Sequence, residues 1–175
     1  MSGEGTGPAP ASGELTHLDD RGRARMVDVG AKPVTERRAT ASCEVRMAPE
    51  TARKLLAGDL PKGDALPVVR LAGIQAAKRT SELIPLCHHV ALTAVEVDVE
   101  VEADTGLVRL EATARAADRT GVEMEAMTAI AVAALTLYDL VKAVQRDVVI
   151  GELRLRHKAG GRSGEIDLDA GSGSG

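Results

Sequence analysis

Reactive side chains concentrate in a few short stretches. Lys62-Gly63-Asp64 puts a cation in a loop that follows Pro61, and by itself reads as a turn. Ile84-Pro85-Leu86-Cys87-His88-His89-Val90 places a thiol and two imidazoles in an apolar loop after Lys78 and Arg79. Adjacent residues make poor joint metal ligands, and no further Cys or His spacing completes a set of four, so a packed Cys with a hydrogen-bonding His is favoured over zinc. Arg119-Thr120-Gly121-Val122-Glu123-Met124-Glu125 sets two carboxylates at a helix start, where acid complements the helix dipole. Being two apart, Glu123 and Glu125 point different ways, so one can cap while the other faces a pocket. Tyr138-Asp139-Leu140-Val141-Lys142 sets an acid and an amine three apart on one helical face. Such pairs are commonly incidental on a surface, but this one emerges from an apolar helix, where Asp139 could hold a proton-exchanging lysine. Lys158-Ala159-Gly160-Gly161-Arg162-Ser163-Gly164 joins glycines to cations, a composition that suits phosphate or a solvated terminus equally. There is no nucleophile–base triad and no dinucleotide loop. Scattered cations, two carboxylates and a His suit an anionic, polyphosphate-bearing ligand handled by acid–base chemistry.

These residues must be placed by regular elements. Ala41, Cys43, Val45 and Met47 alternate with polar residues, which predicts a strand over 39–47. Pro49 opens a short helix through Leu56, stopped at Gly58. A second helix is expected over 68–83. Val95, Val97, Val99 and Val101 alternate with Glu96, Asp98, Glu100 and Glu102 in the clearest strand of the chain. Asp104-Thr105-Gly106 turns it into a partner strand over 107–116. A two-residue loop there sets Glu100 opposite Arg109. The acidic row reads as a solvated or subunit-facing sheet surface. Ala126, Ile130, Ala133, Ala134, Leu137 and Val141 give the longest helical pattern, over 121–145, and a last strand spans about 148–156. The order predicts an α+β, ferredoxin-like β-α-β-β-α-β sandwich, an antiparallel sheet with helices on one face.

The chain has 175 residues, enough for one domain (14–163) between flexible tails (1–13 and 164–175) of Gly, Ser, Pro and Ala. One Tyr, no Phe and no Trp leave a core of small aliphatic side chains, each burying little area at roughly 25 cal/mol per Å². Subunit contacts are therefore expected to add burial. The net charge of −4 and pI near 5.6 argue against a general nucleic-acid binder. Two cysteines make no disulfide framework, the N-terminus has no secretory pattern, and no run suggests a membrane span. A cytoplasmic protein without nucleic-acid or membrane partners is the expectation.

In order and spacing these stretches resemble the cyclic pyranopterin monophosphate synthase family of molybdenum-cofactor biosynthesis. The likeness runs over about 14–164. It includes Leu15-Thr16-His17, Met26-Val27-Asp28-Val29, Lys62-Gly63-Asp64, Ala72 through Thr80, Leu83 through His88, Thr120 through Ala126, Ala133 through Asp139, and Lys142-Ala143-Val144-Gln145. The resemblance implies a lyase that converts 3',8-cyclo-7,8-dihydroguanosine 5'-triphosphate to cyclic pyranopterin monophosphate and diphosphate. It implies Asp139, Lys62 and Lys142 as catalytic groups, and Leu86, Cys87, His88, Glu123, Met124 and Glu125 as substrate-binding ones. Arg37, Lys78, Arg115 and Lys158 fall where cationic pocket residues would be. It further implies a homohexamer, a trimer of dimers with sites at subunit interfaces. No tightly bound cofactor or resident metal is implied, which leaves room for Mg²⁺ on the substrate triphosphate. His89 departs from the family pattern, which has Pro at that point.

Overall fold

In a computed structural model, residues 21, 23 and 26–169 are described. The tail read over 1–13, the Leu15-Thr16-His17 stretch and residues 170–175 lie outside them. The elements run β1 (Thr35–Arg46), α1 (Pro49–Leu56), α2 (Ala65–Ala77), α3 (Thr80–Leu83), β2 (Leu92–Glu102), β3 (Leu107–Asp118), α4 (Glu123–Val141), β4 (Val149–Ala159) and β5 (Ile166–Asp167). All neighbouring strands are antiparallel, in the order β2-β3-β1-β4-β5. The first four are the sheet of a ferredoxin-like α+β sandwich, and β5 extends it by two residues.

Strand alternation sorts the sheet's two faces. Ala39, Ala41, Cys43 and Val45 of β1, with Val108, Leu110, Ala112, Ala114 and Ala116 of β3, are buried under the helices. The opposite face carries Ser42, Glu44, Asp98, Glu100, Arg109, Glu111, Arg154 and Arg156 around a shallow hollow. Glu100 does stand opposite Arg109, although the turn between β2 and β3 spans four residues, 103–106, rather than the expected two. The Arg109 guanidinium nevertheless bonds Glu102, with Glu44 also in ion-pair range. Thr40 and Thr113 join their hydroxyls across the ladder at 2.9 Å.

α4 lies on β1, β3 and β4 and packs along α2. Its inward positions include Ala126, Ala129, Ala133 and Ala134, all fully buried, so backbones approach closely. Gly73 of α2 fits the same crossing: a Cβ there would lie 3.1 Å from the Ala129 carbonyl. By length and composition α4 could cross a membrane, a run that the sequence reading passed over. More than half of that run is buried within the domain, as suits a core helix.

The helix expected over 68–83 starts earlier and breaks. Asp64 caps it, its side chain accepting from the Leu66 N–H, and it ends at Ala77. Thr80 hydrogen-bonds back to the Ala77 carbonyl and opens the single turn α3. The stretch read as a tail from Gly164 begins with β5. Asp169 meets Arg154 and Arg156, and His157 pairs with Glu165, so side chains tie this segment to β4.

Gly106 closes the β2–β3 turn at φ +72°, and a Cβ there would collide with the Met47 carbonyl oxygen. Gly106→Ala should cost about 2 kcal/mol or more, lowering the melting temperature by about 4–8 °C in calorimetry.

Candidate active site

The chemically active side chains gather at the two ends of α4. At its C-terminal end Asp139 sits between two amines. Lys142, one turn on, reaches Oδ1 at 2.6 Å. Lys62 comes from the loop after α1 and reaches Oδ2 at 2.6 Å and the Asp139 carbonyl at 3.2 Å. A loop lysine that reads as part of a turn is thus brought onto the helix. It is placed by Pro61 and by Gly63, which holds φ +83°. Hydrogen bonds from Lys142 and then Lys62 pull the Asp139 carboxyl down to about 2. It is therefore an anion at any physiological pH.

At the N-terminal end the carboxylates face different ways, as their spacing requires. Glu123 pairs with Lys158 of β4 at 3.2 Å, and Lys158 also donates to Ser163 at 2.6 Å. Gly121 leaves room here for the Glu123 carboxylate, which a Cβ would displace. Glu125 points inward and is 2% exposed. The Cys87 thiol donates to its Oε1 at 3.8 Å, while Oε2 is buried with no hydrogen-bond partner among the described residues. Burial is the main cause that raises the Glu125 carboxyl above its usual range, with Glu123 and Asp118 adding to it. Burial, followed by Glu125, likewise pushes the Cys87 thiol up to about 11, so it is a neutral thiol and a poor nucleophile at neutral pH. His88 donates from Nε2 to the Val27 carbonyl at 2.6 Å, which fixes its tautomer. Leu86 and Met124 are exposed beside this cluster.

Arg37 of β1 joins the same end through Nε, which donates to the Asp118 carbonyl at 3.2 Å. Lys78 caps α2 and is exposed. Arg115 points to the open face of the sheet and meets Glu96 at 3.6 Å. It therefore stands apart from both clusters. Among the described residues no group of three His, Cys, Asp or Glu side chains could hold a metal ion. Lys32, Pro33 and Thr35, which stand in no motif, were not singled out from sequence, yet with Arg37, and with Arg119 and Arg162 of the stretches read above, they line a cavity of about 450 Å³ beside the α4 N-terminus.

Along α4, Glu123 and Asp139 are sixteen residues apart, about 24 Å at the helical rise. Within one chain the two clusters are thus separate.

Fold and side chains together define a ferredoxin-like domain that carries amines, carboxylates and a cation-lined cavity at the ends of one helix. The chain belongs to the MoaC family, whose model matches residues 26–161. It is 60% identical over 153 residues to the cyclic pyranopterin monophosphate synthase of Roseiflexus castenholzii, covering 87% of this chain and 97% of that protein. The enzyme of the same name from Parvibaculum lavamentivorans is 56% identical over 155 residues, 89% of this chain and 97% of the relative. Molybdenum cofactor biosynthesis protein 1 of Homo sapiens is 53% identical over 161 residues, 92% of this chain but 25% of that longer protein.

Two titrations check the electrostatics. Asp139 is depressed from 3.8, so its contribution to stability is present above that value and lost as pH falls through about 2. Carboxyl carbon NMR should find its midpoint near 2, returning towards the ordinary value in the Lys62→Ala/Lys142→Ala double variant. Glu125 has the opposite sign. Its raised carboxyl favours folding below the unfolded value of 4.5, an advantage lost as pH rises through the folded value. Glu125→Gln should therefore gain melting temperature relative to wild type at about pH 8. The gain should shrink as pH falls towards 4.5.

Proposed function

We infer that this chain is a cyclic pyranopterin monophosphate synthase. It converts 3',8-cyclo-7,8-dihydroguanosine 5'-triphosphate to cyclic pyranopterin monophosphate, with release of diphosphate, in molybdenum-cofactor biosynthesis. The observation that carries the residue assignment is the Asp139 carboxylate held at 2.6 Å by both Lys62 and Lys142. Rearranging a purine into a pterin needs protons delivered to and taken from ring nitrogens and the C8 aminal. Two amines positioned by one permanent anion can supply and receive them. In this reading Asp139 orients the lysines, and Lys62 and Lys142 are the acid–base pair.

Glu123, Met124, Glu125, Leu86, Cys87 and His88 bind the substrate, with Arg37 and Lys158 neutralising phosphate charge as diphosphate leaves. The unpartnered Oε2 of Glu125 suits an N–H donor on the base. Lys78 remains a candidate phosphate contact. Arg115 is a weaker one, since its guanidinium is turned to the open sheet face. Mg²⁺ accompanying the triphosphate belongs to the same reading, as does a cytoplasmic location.

The separation along α4 bears on assembly. A nucleotide is too short to engage both ends of this helix in one chain. A site that uses both clusters needs the C-terminal end of one α4 and the N-terminal end of another. This supports a homo-oligomer with shared sites, a hexamer built as a trimer of dimers. Val68 and Leu71 of α2 and Leu135 of α4, each about half exposed, offer apolar surface for such contacts.

Lys62→Ala, Asp139→Ala and Lys142→Ala should each abolish pterin formation, followed by fluorescence after oxidation, with little change in melting temperature because these ion pairs are solvent-exposed. Wild-type turnover by any of them would remove that residue from the assignment. Mixing Lys142→Ala with His88→Ala after joint refolding should restore about a quarter of the activity if each site takes one residue from each of two subunits. A mixture as inactive as its components would sink the shared site.

A further inference from the structure

The corner where β1 passes into α1 is held by two backbone donors. The Met47 N–H donates to the Gly106 carbonyl at 2.9 Å, and the Ala48 N–H donates to the side-chain oxygen of Gln145 at 2.8 Å. The second contact joins residues 97 positions apart and takes the place of a local cap. Ala48, at the N-cap of α1, makes no side-chain cap, and Pro49 has no N–H. The Glu50 carboxylate pairs with Lys54 at 3.2 Å instead of turning back to the N-cap, as an acid in the first turn otherwise can. The N-cap donor of α1 is therefore satisfied by an amide from beyond the end of α4.

Gln145 is aimed by the end of α4. Its N–H donates to the Val141 carbonyl at 3.0 Å, so helical winding continues to it. Asp139, Lys142 and Gln145 then recur at three-residue spacing along one side. Tyr138, the chain's one aromatic residue, donates its hydroxyl to the Arg146 carbonyl at 3.0 Å and ties down the residue that follows. From Ala48 the backbone is bonded onward to Lys62. After α1, the N–H groups of Ala57, Gly58 and Asp59 donate to the carbonyls of Arg53, Leu55 and Lys54, and Gly63 donates to Leu60 at 2.8 Å, which closes the loop around Lys62. Buried Leu55 and Leu60 seat this unit on the core, and the contact at Ala48 ties it to α4. Asp139 and Lys142 are set against each other by local spacing alone. Lys62 is the member of the cluster whose distance must be set by tertiary contacts.

We propose that Gln145 is a positioning residue: by holding the start of α1 against the end of α4, its side-chain amide sets the reach of Lys62 to Asp139. The proposal rests on the reading above, in which Lys62, Asp139 and Lys142 carry out the proton transfers. Gln145 acts through Lys62 and needs no contact with the substrate. Small displacements of a proton-transferring group lower the rate of the chemical step more than they lower binding.

Three variants of the full chain test this. Gln145→Met keeps the length of the side chain and loses the acceptor, Gln145→Glu keeps an acceptor oxygen, and Tyr138→Phe removes only the hydroxyl that ties down the turn. Carboxyl carbon NMR reads the Lys62 contact without reference to activity. With Lys62 drawn away, the Asp139 midpoint should rise from about 2 part of the way towards 3.8 in Gln145→Met, and by less in Tyr138→Phe. In steady-state pterin formation Gln145→Met should lower kcat on the order of tenfold with KM little changed, and Gln145→Glu should restore most of that loss. Melting temperatures should stay close to wild type, because the Ala48 contact is solvent-exposed. An Asp139 midpoint unchanged in both Gln145→Met and Tyr138→Phe would overturn the proposal, whatever the rates. Gln145→Glu as slow as Gln145→Met would overturn it as well, since the acceptor would then not be what matters. A raised midpoint with wild-type turnover would uphold the positioning and remove Lys62 from the chemistry instead.

Discussion

The seating of α4 on the sheet is the constraint from which the rest of the structure follows. A helix whose inward face is largely alanine can lie close to β1 and β3, whose facing residues are also largely alanine and valine. Small side chains bury little area each, so the contact relies on many of them and on near approach of backbones. That rigid contact makes α4 a reliable ruler. It carries Glu123 and Glu125 at one end and Asp139 and Lys142 at the other, and loops from either side bring Lys62, Cys87 and His88 to them. The candidate site residues thus sit at the two ends of a helix that is packed along its length.

The two ends use the same side-chain type in opposite ways. Asp139 is half exposed and gripped by two amines, and its carboxyl falls to about 2. Glu125 is buried, touched by a thiol and near other acids, and its carboxyl rises. One is a permanent charge that holds two amines in place. The other is a group for which a proton, or a hydrogen-bond donor from a ligand, relieves the cost of burial. Environment, not residue type, separates these roles.

Much of this was legible in the sequence because it follows from short-range periodicity. The valine–acid alternation of β2 fixes which face is buried, and its turn fixes the register that sets Glu100 against Arg109. The i,i+3 spacing of Asp139 and Lys142 guarantees their contact on any helix. What periodicity does not carry is closure over distance. Nothing local says that Lys62 reaches Asp139 seventy-seven positions away, or that Thr35 and Lys32 share a cavity with Arg162. The break at Lys78 depends on a Thr80 hydroxyl turning back on the helix, a competition that helical spacing does not reveal. The family likeness brought Lys62 and Arg37 into view, and it also brought Arg115, which the pleat of β3 turns away to the other face.

An all-aliphatic core and a divided set of functional groups have a common physical solution. In the assembly proposed above, packing against copies of itself adds the burial that missing aromatic rings would otherwise provide. The same packing can bring the amine end of one α4 to the carboxylate end of another. The α2–α4 crossing leaves no room for a larger side chain at Gly73, where a Cβ would already lie 3.1 Å from the Ala129 carbonyl oxygen, while Leu71 and Leu135 are left on the outside. In the assembly proposed above, another subunit covers this apolar surface. Stability and the completion of the site would then be gained in the same contact.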